Sequence, residues 1–333
     1  MTMKHWIIGL SMAGLTAFAA VGTLQQLEKT EWTGYEAAWK TVDSLDQLLL
    51  PESALKVVED IYAHAKAEKN GPQTIKSTSY KAKYTSALNE NGEALAIQIF
   101  ENEIKNAVAP EKNILQSQLA EMYWSYFTIN QWRISARTYT DTLVSDDINT
   151  WDKLTLYNKA LSLYQESIRD REVLKKIKSK NYAEILIPGN AYGELFRPTL
   201  FDLLGHRALE FYLTGNYYLP SSVNDFTWSD PNLFASPKQF SGYTFDVAGK
   251  SGVKFNAVRL LQDLTTAHLY DPYPDALVDV TLTRYAYAKA NGIVDNQDSV
   301  YLNALLRDEK QFINDSSSAR ISHLIGLWHR EKA

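Results

Sequence analysis

The chain has no cysteine. It therefore forms no disulfide, and its stability has to come from packing. A bacterial lipid anchor, which is built on a cysteine, is excluded for the same reason. Glycine and proline are scarce, at 15 and 10 of 333 residues. That argues against a turn-rich sandwich of many strands. Charge of either sign is in no large excess, with a net of -5 and an isoelectric point of about 5.8. There is no basic footprint for nucleic acid, and the acidity is too mild to imply a cationic partner. After the first 19 residues no apolar run reaches the roughly 20 residues that span a bilayer. H-E-x-x-H, G-x-S-x-G, the P-loop and G-x-G-x-x-G are all missing. The six histidines are dispersed, and His323 and His329, six apart, do not share a helix face well. No catalytic, cofactor-binding or metal-ligating residue is expected.

What is present favours helix. The chain is 45% hydrophobic and 12% aromatic, ample for a packed core. Leu, Ala, Lys, Glu and Gln, all good helix formers, are abundant. Residues 1–19 read as a secretory signal peptide. Lys4 gives the positive start, Trp6 through Phe18 the short apolar core, and Ala17-Phe18-Ala19 a small-x-small cleavage site, with Ala20-Val21-Gly22 a second. The expected location is outside the cytoplasm, in the periplasm or cell envelope, with no transmembrane segment in the mature chain.

Apolar residues then recur at three- and four-residue steps. Trp32, Tyr35, Ala38, Trp39, Val42 and Leu45 form one such series. Pro51 opens a clean helix carrying Ala54, Leu55, Val58, Ile61, Tyr62 and Ala65 to about residue 69. Asn70-Gly71-Pro72 ends it, with Gly71 expected to supply the left-handed cap. Helices follow at about 72–88, 93–107 and 111–128, broken at Asn89-Glu90-Asn91-Gly92 and Ala109-Pro110. Further helices are predicted at about 150–178, 198–213, 255–269, 274–290, 297–312 and 317–330. The spacing of the first hairpins is near 40 residues, within the range of helical repeats.

Residues 215–254 break the pattern. Pro220, Pro231, Pro237, Gly242, Gly249 and Gly252 alternate there with Phe226, Trp228, Phe234, Phe240, Tyr243 and Phe245. The stretch is too long for an ordinary connection and too aromatic to be simply disordered. The expected fold is thus all-α, a TPR-like helical-repeat array (an α-solenoid) with one long irregular insertion that has room for a hairpin. The expected division is a signal peptide at 1–19, a first helical lobe at 20–214, the aromatic excursion at 215–254, and a second, incomplete lobe at 255–333.

Few side chains stand out as chemistry. Asp202 and His206 are one helical turn apart, beside Arg207 and Glu210, but no nucleophile accompanies them. Packing between helices accounts for them as well. Arg259 and Asp263 form a second pair at that spacing, expected to be a local ion pair. Tyr123, Trp124, Tyr126, Phe127 and Trp132 cluster on and after one helix, where they are expected to wedge helix against helix. Loops carry function more often than scaffolds do. Phe226, Trp228, Phe234, Phe240 and Tyr243 are therefore the candidate partner surface.

Four segments carry a resemblance. The first is LPESALKVVEDIYAHAKAEKNGPQ at 50–73, and the second is LAEMYWSYF at 119–127 with NQWR at 130–133. The third is DINTWD at 147–152 with RPTLFDLLGHRALEFY at 197–212. The fourth is FNAVRLLQDL at 255–264 with ALVDVTL at 276–282 and SARIS at 318–322. In order and spacing they resemble the N-terminal helical region of Bacteroides-type bacterial alpha-2-macroglobulin family proteins. Members of that family are protease traps. The resemblance implies macroglobulin-like β-domains further along the same full-length protein, a bait region that proteases cut, and often a thioester. A thioester needs a cysteine, which this chain lacks. The chain also stops within what should be a helix pair, leaving Ile321, Leu324, Ile325 and Trp328 as a stripe with no following partner, as in a fragment of a longer protein.

The expected function is a non-enzymatic structural and interaction module of such an inhibitor. It would need no cofactor and would reach proteases only through the β-domains. A stand-alone cell-envelope protein that binds glycan or peptide is the alternative. An all-helical glycosidase ranks last, since no pair of carboxylates stands out.

Overall fold

The computed structural model describes residues 32–137, 147–186, 193–214, 226–246 and 252–333. The expected signal peptide and both ends of the aromatic excursion, 215–225 and 247–251, lie outside the described residues. Every regular element among the described residues is a helix, and a lone bridge between Lys178 and Thr199 is the nearest thing to a strand. The hairpin for which the insertion has room has no counterpart among residues 226–246. No helix among the described residues is long and apolar enough to cross a membrane. Contacts divide the chain into two units. One runs to Asn106 and takes in Ala183–Ile187, and the other holds Ala107–Tyr182 and Pro188–Ala333.

The first unit is built from α1 (Tyr35–Gln47), α2 (Pro51–Glu68), α3 (Gly71–Leu88) and α4 (Gly92–Asn106). Each packs on its neighbour in sequence. The connections are only two or three residues long, so successive helices run antiparallel. Trp39 and Val42 of α1, Ala54, Val58 and Ile61 of α2, and Tyr84 of α3 form its buried core. Those of α1 and α2 are stripe residues of the sequence pattern. α3 buries polar residues as well: Gln73, Ser77 and Thr78 are under 5% exposed. α2 covers one side of it and α4 the other. The hydroxyls of Ser77 and Thr78 bond back to carbonyls one turn earlier, so their burial leaves no orphan. Gln73 takes the Trp39 indole N–H at 2.7 Å and donates to Glu184.

Two turns of this unit depart from expectation. Lys69, not Gly71, adopts the left-handed conformation that closes α2, with φ 56. Asn70 then caps α3 by accepting from Gln73 N, and Gly71 and Pro72 lie in the first turn of that helix. At the end of α1 the cap is a complete Schellman motif. Leu50 N donates to Leu45 O and Leu49 N to Asp46 O, both at 3.0 Å. The residue forced to φ 57 there is Leu49, where glycine is the usual occupant. Leu49 is 84% exposed, so no packing offsets the strain.

The second unit holds α5 (Glu111–Ile129), α6 (Gln131–Ser135), α7 (Lys153–Ser167), α8 (Arg171–Leu174), α9 (Gly193–Phe196), α10 (Leu200–Thr214), α11 (Pro237–Gly242), α12 (Val253–His268), α13 (Asp275–Asn291), α14 (Gln297–Gln311) and α15 (Ser318–Lys332). The single helix predicted over 150–178 is a short turn at Ile148–Thr150, then α7, then α8. α5 packs along α7, and α10 touches both while lying against α12. Gly205 sets that last approach: a Cβ there would sit 3.1 Å from a methyl of Leu264. Because α10 and α12 pack together, the division expected around 215–254 falls inside this unit. The stripe of α15 is partly covered by α14, with Ile321 buried and Leu324, Ile325 and Trp328 half-buried.

Leu49 gives a direct test of the strained cap. L49G is expected to stabilise the protein by about 0.5–1 kcal/mol, because the left-handed penalty on a side-chain-bearing residue exceeds the entropic cost of glycine. Urea unfolding followed by circular dichroism would show this as a higher midpoint at unchanged slope. A lower midpoint would mean that Leu49 makes stabilising contacts.

Candidate functional site

The densest polar cluster of the second unit begins at the start of α10. Thr199 and Asp202 form a reciprocal capping box: Thr199 N donates to Asp202 Oδ2 at 2.9 Å and Asp202 N to the Thr199 hydroxyl at 3.4 Å. The Thr199 hydroxyl also donates to Oδ2, at 2.7 Å. This leaves Oδ1 of a fully buried carboxylate to find a second partner. That partner is His268, in the last turn of α12, whose Nε2 lies 2.7 Å away. Nδ1 of the same ring meets Asp271 Oδ2, also at 2.7 Å.

An imidazole with a carboxylate at each nitrogen carries both protons. Burial alone would push Asp202 up, but the hydrogen bond and charge of His268, with the bonds from Thr199, hold it below the ordinary carboxylate range. Burial alone would push His268 down, but Asp202 and then Asp271 hold it above the ordinary imidazole value. The helix termini help, since the anion caps an N-terminus and the cation sits at a C-terminus.

A second cluster lies beside the first. Asp279 of α13 receives Arg197, just ahead of α10, and Arg320 of α15 at 2.7 Å. Burial raises its pKa, but Arg197 leads a group of cations that holds it low. His206 lies between the clusters. Its Nδ1 donates to the Asp202 backbone carbonyl at 2.9 Å, a packing role of the kind that the sequence reading allowed for this pair. Its Nε2 has no hydrogen-bond partner and lies 3.9 Å from Asp279 Oδ2. Burial, then the charge of Arg197, push this imidazole down to about 3, so it stays neutral. Arg207 ties α10 to α5, through Ser117 Oγ at 2.8 Å and Glu121 at 2.5 Å. Asp263 pairs with Arg171 of α8 at 2.6 Å, while its expected partner Arg259 acts on it only through its charge.

The candidate partner surface of the excursion lies mostly inside the unit. Phe226, Trp228, Phe234 and Phe240 are at most 3% exposed, and Tyr243 is half-exposed. Phe226 packs on Phe245 and Phe255, Trp228 on Tyr287, and Phe234 on Tyr285. Phe240 is the platform for Arg284, a fully buried cation whose guanidinium lies 3.9 Å from the ring centre. Arg284 donates to Ala235 O at 2.8 Å, and burial pushes its pKa down to about 10, so it remains charged. These four rings form a wall of the core in place of a surface. Of the earlier aromatics, Tyr123, Tyr126 and Phe127 are buried and Trp124 packs on Phe211, whereas Trp132 is 95% exposed.

The chemistry open to this arrangement is narrow. Both nitrogens of His268 are occupied, so it cannot take a proton from a substrate. The Thr199 hydroxyl is held by the capping carboxylate. Among the described residues no three His, Cys, Asp or Glu side chains gather as a metal cage. His323 and His329 are exposed on α15. A shallow, open depression over Gly292–Ser299 contains none of the groups above. His268, Asp279 and Arg320 carry no partner signal in the sequence, because 41 to 82 residues separate the members of their pairs, whereas Asp271 lies only three residues from His268.

The Asp202–His268 pair makes stability depend on pH in two directions. His268 has a raised folded pKa, so its contribution is full below 6.5 and lost as pH rises through the folded value. Asp202 has a lowered one, so its contribution is full above 3.8 and lost as pH falls through the folded value. D202A is expected to cost about 3–5 kcal/mol in urea unfolding at pH 6, by leaving the imidazolium short of a partner. D202N should flatten the decline of stability above pH 6.5. An unaltered decline would assign it to other groups.

Comparison of the chain with family profiles, with curated proteins and with solved structures finds no match.

Proposed function

We propose that the chain is a non-enzymatic helical scaffold, the N-terminal helical-repeat part of a bacterial alpha-2-macroglobulin-like protease inhibitor. The carrying observation joins the sequence resemblance to the polar clusters. Arg197, Asp202 and His206 come from the segment at 197–212, Asp279 from 276–282 and Arg320 from 318–322. The segments that resemble the family thus supply the buried charges that fix α10, α13 and α15 to one another. Their side chains are used in holding helices, which is the work of a scaffold.

The TPR-like reading rests on the first unit. There α1–α2 and α3–α4 are consecutive antiparallel hairpins that stack in chain order, as repeats do. On this reading the chain holds or positions the macroglobulin-like β-domains of its own full-length protein and is exported to the periplasm or cell envelope. The burial of the excursion's rings leaves a glycan-stacking surface with little support.

Immunoblotting of the source cells with an antibody to residues 50–130 tests the proposal. The expected result is a band several times larger than 37.8 kDa that shifts when the cells' extract meets a broad-specificity protease. A band at or just below 37.8 kDa would overturn it in favour of a stand-alone binding protein.

A further inference from the structure

The end of the first unit where α1 turns into α2 presents leucines to solvent. Leu48, Leu49 and Leu50 are 67%, 84% and 46% exposed. Leu88, at the close of α3, is 36% exposed. Because α1–α4 alternate in direction, the 48–50 and 89–91 turns lie at the same end. Lys83 Nζ, 2.7 Å from Asp46 Oδ2, ties the last stretches of α1 and α3 together there.

Two features distinguish this tip from scattered surface leucines, which are ordinary. The first is the backbone. Leu49 holds a left-handed conformation that glycine would adopt freely, and its side chain gains no burial in return. Strain retained without a packing benefit points to use of the side chain elsewhere. The second is charge. Glu52, in the first turn of α2, and Glu90, between α3 and α4, are exposed at this end, and neither α1 nor α3 has a basic residue in its last turn. The nearby Lys83 is paired to Asp46. Lys66 and Lys105 mark the last turns at the opposite end.

We propose that this leucine tip docks a helix of another protein, apolar along one face and flanked by Lys or Arg. The leucines would fill the apolar stripe, and the carboxylates would meet the flanking cations and set orientation and association rate. The acidic rim works against anionic lipid headgroups and against a second copy of the same tip. The inference is independent of the scaffold proposal.

Titration of the purified protein with a fluorescent Leu/Lys amphipathic helical peptide tests it, with the Leu/Glu version as comparison. The Lys peptide should bind, more weakly as salt rises, and the Glu peptide should not. L49G and the double variant L48S/L50S should each weaken binding about tenfold or more, as loss of an anchor residue does. L49G should do so while raising the unfolding midpoint, which separates lost docking from lost folding. Four outcomes would overturn the proposal: no binding of the Lys peptide, equal binding of both peptides, unchanged affinity in both variants, or recruitment to phosphatidylcholine vesicles in preference to the peptide. Self-association abolished by L48S/L50S would also overturn it, by assigning the tip to a second copy.

Discussion

The Asp202 carboxylate has two oxygens, and the second unit depends on how they are divided. One caps the helix that carries it, and the other reaches across 66 positions of sequence to His268. A buried anion is tolerated only when its neighbours replace water, so its placement fixes α10, α12 and the turn at Asp271 together. Gly205 lets α10 approach α12 closely enough for that bond to form. The neighbouring Arg197–Asp279–Arg320 cluster extends the same logic to α13 and α15. In a chain without cysteine, paired buried charge does the positional work that a disulfide does elsewhere, though by geometry more than by net energy.

The two units solve the packing problem differently. The first uses short turns and neighbouring helices, and its core is the apolar stripe already visible in sequence. The second closes on non-local contacts and fills its interior with rings. Arg284 sits on Phe240 and near Tyr285, while Tyr285 bonds Asp308 at 2.6 Å and Asp308 also holds Arg307 at 2.8 Å. Aromatic faces flank the buried Arg284, whose Nε and Nη1 find no hydrogen-bond partner, while the Asp308 carboxylate pairs with Arg307. The same use of the rings removes them from any role at the surface, which leaves the leucine tip of the first unit as the more conspicuous apolar exposure.

Much of this fold was legible in the chain. The predicted helices at 72–88, 93–107, 198–213, 255–269 and 274–290 match observed ones within a few residues, because apolar spacing and Gly/Pro breaks report local structure directly. Errors arose where two solutions were locally equivalent. Lys69 and Gly71 could each end α2, and the structure uses the one that leaves Asn70 free to cap α3. Residues 150–178 had periodicity enough for one helix, yet break between α7 and α8, where Arg171 turns to Asp263.

The sequence by itself determined the helical class, the positions of most helices and the absence of cysteine chemistry, since each follows from short-range propensity or composition. Only the tertiary structure decided that Asp202 answers to His268 and not His206, that Phe226, Trp228, Phe234 and Phe240 face inward, and that Leu49 faces out. Spacing along a helix says which side chains share a face. It does not say what lies opposite that face, and burial, pairing and exposure are all settled by what lies opposite.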